Sequence, residues 1–443
     1  MDRRAYDATL AMNGQDQSRN RTVDGGRRPA RDRAGAPIWR RAAGCAVAVG
    51  AALAAACSTH RSLPVTAALS REVDPLPIQS ASSDDGVLLF QVEASAPPSV
   101  SSMKGSDDWV GYNIKVPLGA AGVILCTMFP QRSFAAALWH PLHDELLGSV
   151  FTDQRLAATD AGVMLDHPFL SLEITGHVKE HGEQRVGTAK YLIVGFGDAT
   201  LICVHPEVGY RNSFKRIVSG MTGTMRLATV LDKMPMTYHE IQVVKVQGKP
   251  FGFGDLRYLD GANGERLAFK RTTIVIPRTA SDWITEDGLR VDRSGADGLI
   301  IQASDERLEG GEKAHDLTLK RNASGYHIAG TVQGKPVAAD LPKAVEVPDD
   351  LRVAHTLDAV QKSNGPWPTR VTQWQPDLDP LKVTEVTIGC AARGGNGTGC
   401  DLSMGPAHTQ FTLDTQGRPS ELTIPGPGGL TISIQRVFTE GHL

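Results

Sequence analysis

The sequence predicts an α+β fold in two domains, with strands around two helices over residues 85–232 and a mainly antiparallel β region with one helix over residues 233–443. Three observations carry this prediction. From Val87 to Met221, β-branched and aromatic runs bounded by Pro, Gly and Ser alternate with two stretches of helical spacing. From Tyr238 onward, short strand-like runs follow one another at about the 8–12-residue spacing of an antiparallel sheet. The chain has 443 residues, 41% of them hydrophobic and 21% charged, which is enough apolar mass for two or three cored domains.

Residues 1–37 are polar, rich in Arg, Gly and Asp, and without apolar periodicity, which predicts a disordered extension. Trp39-Arg40-Arg41 then precedes an uncharged run of small apolar residues, Ala42 to Ala56, in the pattern of a secretory signal peptide. The run is shorter than the roughly 20 apolar residues needed to cross a bilayer. The 37 residues ahead of it are read as a start placed upstream of the true one.

Leu53-Ala54-Ala55-Ala56-Cys57 resembles the lipobox of bacterial lipoproteins, although Leu53 stands one place further out than in that family. The resemblance implies that Cys57 is diacylated and becomes the first mature residue. It also implies that Ser58 directs the protein to the outer membrane, facing the periplasm, in a cell with two membranes. Several acyl chains, at about 0.8 kcal/mol per buried CH₂, make such an anchor stable. An ordinary signal peptide cut nearby is the alternative. The expected order is therefore extension and signal over 1–57, a Ser-, Pro- and Asp-containing flexible tether over 58–84, then the two domains.

The net charge of −3 becomes −8 once residues 1–56, with ten Arg and five Asp, are removed. An acidic exported body is not built to grip nucleic acid or anionic lipid head groups. Of six cysteines, Cys126, Cys203, Cys390 and Cys400 remain after Cys45 in the signal and Cys57 at the lipid site. Cys390 and Cys400 bracket a flexible Gly-rich loop between strand-like runs, which predicts a disulfide worth about 3 kcal/mol. A metal reading of that pair lacks further ligands nearby. Cys126 and Cys203 lie in buried-looking strands, where a second disulfide and two free buried thiols both fit.

In the first domain, strands are expected at Val87–Val92, Tyr112–Val116 and Val123–Phe129. The stripe Phe134, Leu138, Leu142, Leu146 and Val150 predicts a helix over 133–151 that Pro141 kinks or splits. Strands resume at Ser171–Val178, and Gly195-Phe-Gly-Asp198 joins two more as a hairpin. Phe214, Ile217, Val218 and Met221 predict a closing helix. In the second domain eight short runs lead from Ile241 to Asp340. A helix over 348–362 carries Leu351, Ala354, Leu357 and Val360 on one face, and six further runs end at Leu430–Phe438.

The element order of residues 85–232 resembles Mog1/PsbP-like domains, which implies an α/β sandwich. The order over 233–443 resembles the LolA/LolB-like lipoprotein-carrier superfamily over about 200 residues. That implies a curved sheet or half-barrel whose concave face holds an acyl chain or another extended ligand. Both resemblances rest on the order of elements, and no carrier residue maps onto this chain.

The sequence lacks G-x-S-x-G, a P-loop, a helix-opening G-x-G-x-x-G and C-x-x-C, so no cofactor is expected. His140-Pro-Leu-His143-Asp144, with Asp166 and His167, offers imidazole and carboxylate for zinc. Solvated histidines beside a helix start are the plainer reading. Cys203 and His205 project from one face of a strand and could pair a nucleophile with a base. Asp282, Glu286, Asp287, Asp292 and Asp297 are read as turn residues and solvent-facing strand positions rather than a calcium loop. The expected function is that of a membrane-anchored envelope lipoprotein with a non-enzymatic binding role. Its partner would be an apolar or acyl ligand in a concave apolar face, or another envelope protein. The alternative is an envelope hydrolase or metal-dependent enzyme using His140, His143 and Asp144, or Cys203 and His205.

Overall fold

The computed structural model describes residues 65–104, 110–130, 151–180, 183–197, 199–227, 235–277, 283–363, 368–392, 398–404, 407–415, 417–425 and 430–441. These residues form three antiparallel sheets and three α-helices and are mostly strand, so the α+β expectation and its N-terminal α/β sandwich are corrected to a mainly β fold.

The short helix α1 (Val65–Leu69) precedes a small sheet of β1 (Ile78–Ser82), β2 (Leu88–Glu93) and β10 (Arg226–Leu227). A seven-stranded sheet follows, built from β3 (Ser99–Lys104), β4 (Val110–Pro117), β5 (Val123–Phe129), β6 (Phe151–Met164), β7 (His167–Glu180), β8 (Glu183–Phe196) and β9 (Ala199–His205) in the order β3-β4-β5-β9-β8-β7-β6. The main reason for the correction is that β6, β7 and β8 each run 14 residues. They continue through stretches without apolar alternation, such as Thr175-Gly-His177 paired with Val186–Thr188, because ladder pairing, not local apolar pattern, holds them extended. Of the helix expected over 133–151, all but Phe151 lies outside the described residues, and Phe151 opens β6.

Helix α2 (Arg211–Thr224) packs Phe214, Ile217, Val218 and Met221 onto Leu88, Phe90, Ile114, Met128, Leu192 and Leu201. The opposite face of the seven-stranded sheet buries Leu172, Ile174, Tyr191, Ile193 and Ile202. With both faces covered, strands such as β9 are buried at every position, which is why they read as continuous apolar runs. The residue before α2, Tyr210, is left-handed and gives no side-chain cap. Glu72 takes that place: its carboxylate accepts the amides of Asn212 and Ser213 at 3.2 and 2.7 Å. Residues 71–73, within the span expected to be a tether, are thereby pinned to the helix.

The second part is a single fourteen-stranded sheet. Its strands are β11 (Met236–Val246), β12 (Lys249–Asp260), β13 (Arg266–Pro277), β14 (Trp283–Ser294), β15 (Ile300–Glu309), β16 (Glu312–Asn322), β17 (Gly325–Val332) and β18 (Lys335–Pro342), followed by helix α3 (Asp350–Ser363). Then come β19 (Thr369–Trp374), β20 (Val383–Ala392), β21 (Thr398–Met404), β22 (Ala407–Leu413), β23 (Pro419–Pro425) and β24 (Thr431–Gly441). The two hairpin series join where β11 pairs with β24, which leaves β18 and β19 as the ends of the sheet.

The sheet curls on itself. Trp374 of β19, 1% exposed, packs among Ile300, Leu317, Leu319, Tyr326 and Ile328 of β15–β17, although β19 stands at the far end of the strand order. Helix α3 lies on the same concave face, with Val353 and Leu357 against Val386, Ile388, Phe411 and Leu413. A Cβ at Gly252 would stand 2.3 Å from the Thr273 carbonyl, so only glycine lets β12 lie this close to β13.

The convex side of β12 and β13 meets the seven-stranded sheet. Phe253 and Val275 share a core with Phe129, Leu172, Ile174 and Tyr191. Buried Arg271 donates to the Ala199 carbonyl at 3.2 Å and to the Thr200 hydroxyl at 2.6 Å across this layer.

Candidate functional site

Strand periodicity builds the site. On the concave face, β13 presents Lys270, Thr272 and Ile274, β14 presents Glu286, Gly288 and Arg290, and β15 presents Asp305 and Arg307. The register sets Lys270 opposite Arg290, Thr272 opposite Gly288, and Gly288 opposite Arg307. With the start of α3, the segment Gln373–Asp377, and Ile424 and Ile434 from β23 and β24, these residues line an open-sided cavity of about 440 Å³. That is within the range of roughly 300–1,000 Å³ for small-molecule sites.

Gly288 is the floor of this cavity. A Cβ built on it would meet nothing within 4 Å, and its φ lies outside the left-handed region. Neither crowding nor backbone conformation therefore requires glycine there. A glycine inside a strand gives up about 0.5–1 kcal/mol, and its effect at this position is to leave open volume.

The walls are charged. Asp292 binds Lys270 and Arg290 at 2.6 and 2.8 Å, and Asp350 binds Lys270 at 2.6 Å. Burial alone would lower Lys270, but Asp292 and Asp350 outweigh it and raise its pKa. The Arg290 guanidinium lies 5.2 Å over the Trp374 ring and donates to the Trp374 carbonyl at 2.7 Å. Asp305 meets His315 at 2.5 Å. Arg307 binds Glu286 at 2.7 Å, Glu309 at 3.3 Å, and Asp377. Burial pushes the Glu286 carboxyl up; Arg307 opposes this, while Glu309 and Asp377 add to the rise. Beside these charges the lining carries Ile274, Pro348, Trp374, Pro376, Ile424 and Ile434.

The four remaining cysteines form two disulfides, each between directly opposed residues of neighbouring strands: Cys126–Cys203 across β5 and β9, and Cys390–Cys400 across β20 and β21. Cys203 therefore has no thiolate to offer, and the Cys203–His205 nucleophile–base pair is corrected. His205 is fully buried, donates its Nε2–H to the Ala121 carbonyl at 2.9 Å, and stacks on Phe214. Burial, aided by Lys190, lowers its pKa to about 3. Cys57, His140, His143 and Asp144 lie outside the described residues. His167 contacts its neighbour Asp166 at 3.3 Å and its ring lies against Phe196.

The reading of the acidic stretch as solvent-facing is also corrected. Asp287 and Asp292 are buried, and Glu286 lines the cavity; Asp297 stays at the surface, bonded to Arg321 at 2.9 Å, and Asp282 lies outside the described residues. A second buried polar group sits near the sheet junction, where Asp255 binds His239 at 2.8 Å and Arg257 at 3.2 Å. Among the described residues no group of His, Cys, Asp and Glu is arranged to hold a metal ion.

Sequence reasoning missed Lys270, Glu286, Gly288, Arg290, Asp305 and Arg307 as a site. The available signal was their i, i+2 spacing on consecutive strand runs, with a glycine at the centre of one.

No family model matches the chain, and no curated protein matches it. Among solved structures it is similar to the crystal structure of a β-barrel-like protein of the domain of unknown function DUF1849 from Brucella abortus. The identity is 11%, the match covers 47% of this chain and 99% of that one, and the TM-score is 0.38.

Proposed function

We propose that this chain is a lipid-anchored envelope protein with a non-enzymatic binding role: exported, acylated at Cys57, and offering the curved fourteen-stranded sheet as a receptacle for a small polar molecule. The observation that carries the binding part is the cavity floored by Gly288, where a strand gives up a side chain without steric need and the space stays open. Two disulfides support an oxidising compartment such as the periplasm. The charged walls favour a ligand with hydrogen-bonding groups over an acyl chain, because sealing ions under hydrocarbon costs several kcal/mol per unsolvated group, on the order of that for other buried charges. Binding is favoured over hydrolysis because the disulfide occupies the Cys203 sulfur beside His205.

The anchor is tested by expressing the full chain and Cys57→Ala in a bacterium with two membranes. The expected result is an acylated N-terminal peptide in the membrane fraction for the wild type and neither acyl group nor membrane partition for the variant. A Cys57→Ala chain that keeps its acyl mass and its membrane partition would overturn it.

A further inference from the structure

We propose that Arg271 and Asp287 form a pH-sensitive latch between the two large sheets. While the Asp287 carboxyl carries its proton, Arg271 holds the seven-stranded sheet. Ionisation of that carboxyl draws the guanidinium back to β14 and loosens the layer contact. The inference is independent of what the cavity holds. Its first ground is how Arg271 is seated. The side chain is 2% exposed and crosses from the convex side of β13 to the end of the β8–β9 hairpin. There it donates to the Ala199 carbonyl at 3.2 Å and to the Thr200 hydroxyl at 2.6 Å, both neutral acceptors. Gly195 stands directly opposite Thr200, and a Cβ on it would lie 3.3 Å from Nη1 of Arg271. The missing side chain makes room for the guanidinium, and the Phe253 ring lies 5.7 Å from it on the other strand.

The second ground is the alternative partner. Asp287 is also closed to water, and its Oδ1 lies 4.0 Å from Nε of Arg271. A shift of about 1 Å in the guanidinium would make this a charge-assisted bond of about 2.7–2.9 Å, roughly twice as strong as a bond to a neutral acceptor. A neutral carboxyl offers no such gain. An ionised one is costly to leave buried without a counter-ion contact, and among the described residues Arg271 is the cation that faces it. The other charged group facing Asp287 is Glu306, which has its own cation in Lys313 at 2.7 Å. Burial pushes the Asp287 carboxyl up, Arg271 and Thr273 pull it down and Glu306 adds to the rise, leaving it at about 7. The proton is therefore exchanged near neutrality, while Arg271 stays charged throughout. The same two strands turn Lys270, Thr272, Glu286 and Gly288 to the concave side, so the latch lies on the reverse of the cavity wall.

The test is hydrogen exchange of the full chain in mild detergent, read by mass spectrometry at pH 5 and pH 8 and corrected for the intrinsic exchange rate at each pH. Protection over β9 and β13 should fall about tenfold or more between the two, and by less than about threefold over β16 and β17. Asp287→Asn keeps an acceptor for Thr273 but cannot ionise, so it should hold the pH 5 protection at both values. Arg271→Gln should lower protection of β9 and β13 already at pH 5 and remove the step. An infrared difference spectrum, wild type minus Asp287→Asn, should show the carbonyl band of a protonated carboxyl at pH 5 and lose it by pH 8. A fall in protection spread evenly over all strands, a step that survives in either variant, or a difference spectrum lacking that band at pH 5 would overturn the proposal.

Discussion

Asp287 accepts the Thr273 hydroxyl at 2.6 Å from the directly opposed position of the neighbouring strand, and both residues are closed to water. Arg271 stands 4.0 Å from the same carboxylate and directs donors to Ala199 and Thr200 instead. Burial raises the Asp287 pKa to about 7, against the opposing pull of Arg271 and Thr273. The folded protein thus keeps a proton here that the unfolded chain loses near pH 4. The stabilisation is complete below about pH 4 and fades as pH rises through 7, on the order of 4 kcal/mol at most. Urea midpoints for the wild type should fall from pH 5 to pH 8, and Asp287→Asn should flatten that fall. An unchanged slope in the variant would contradict the assignment.

The disulfides should differ in value. Cys126–Cys203 spans 77 residues and Cys390–Cys400 spans 10. In the chain-entropy model the longer loop is worth about 4.5 kcal/mol and the shorter about 3. Paired Cys→Ser replacement at 126 and 203 should lower the denaturation midpoint more than the same replacement at 390 and 400.

Two glycines, in the strands on either side of β13, should respond oppositely to alanine. Gly252→Ala places a methyl 2.3 Å from a backbone carbonyl and should cost more than about 2 kcal/mol. Gly288→Ala enters open space and should be neutral or stabilising by up to about 1 kcal/mol. Chemical denaturation of the two variants side by side decides this. A large loss at Gly288 would mean the position is kept for packing and not for volume.

Glu72→Ala removes the external cap of α2 and should cost about 1 kcal/mol. Hydrogen exchange should show the loss concentrated at the amides of Asn212 and Ser213. Protection that is lost evenly across the chain would assign Glu72 another role.

Helix α2 and the start of α3 were legible because their signal is local: Phe214, Ile217, Val218 and Met221 repeat at helical spacing, and Leu351 and Leu357 are buried as that spacing predicts. The Cys390–Cys400 bridge was legible because short separation limits where each thiol can reach. The length of β6 was not, since Thr152 to Arg155 carry no apolar alternation and the strand runs on through a bulge at Asp153 and Gln154 between residues paired with β7. The site was hidden for a related reason. Glu286, Gly288 and Arg290 show one polar face of a strand, and that pattern is the same whether the face meets bulk water or lines a cavity. What separates the two is the curl that brings Trp374 back against β15–β17, which depends on pairing across the whole fourteen-stranded sheet.

The central claim is that the open volume over Gly288 holds a ligand. Native mass spectrometry of the full chain, released in mild detergent from the membranes in which it was made, reads this directly. A small non-covalent adduct on the wild type that disappears in Gly288→Leu, with covalent masses otherwise differing only by the substitution, is the predicted result. An adduct that persists in Gly288→Leu, or spectra without any adduct for both proteins, would contradict it.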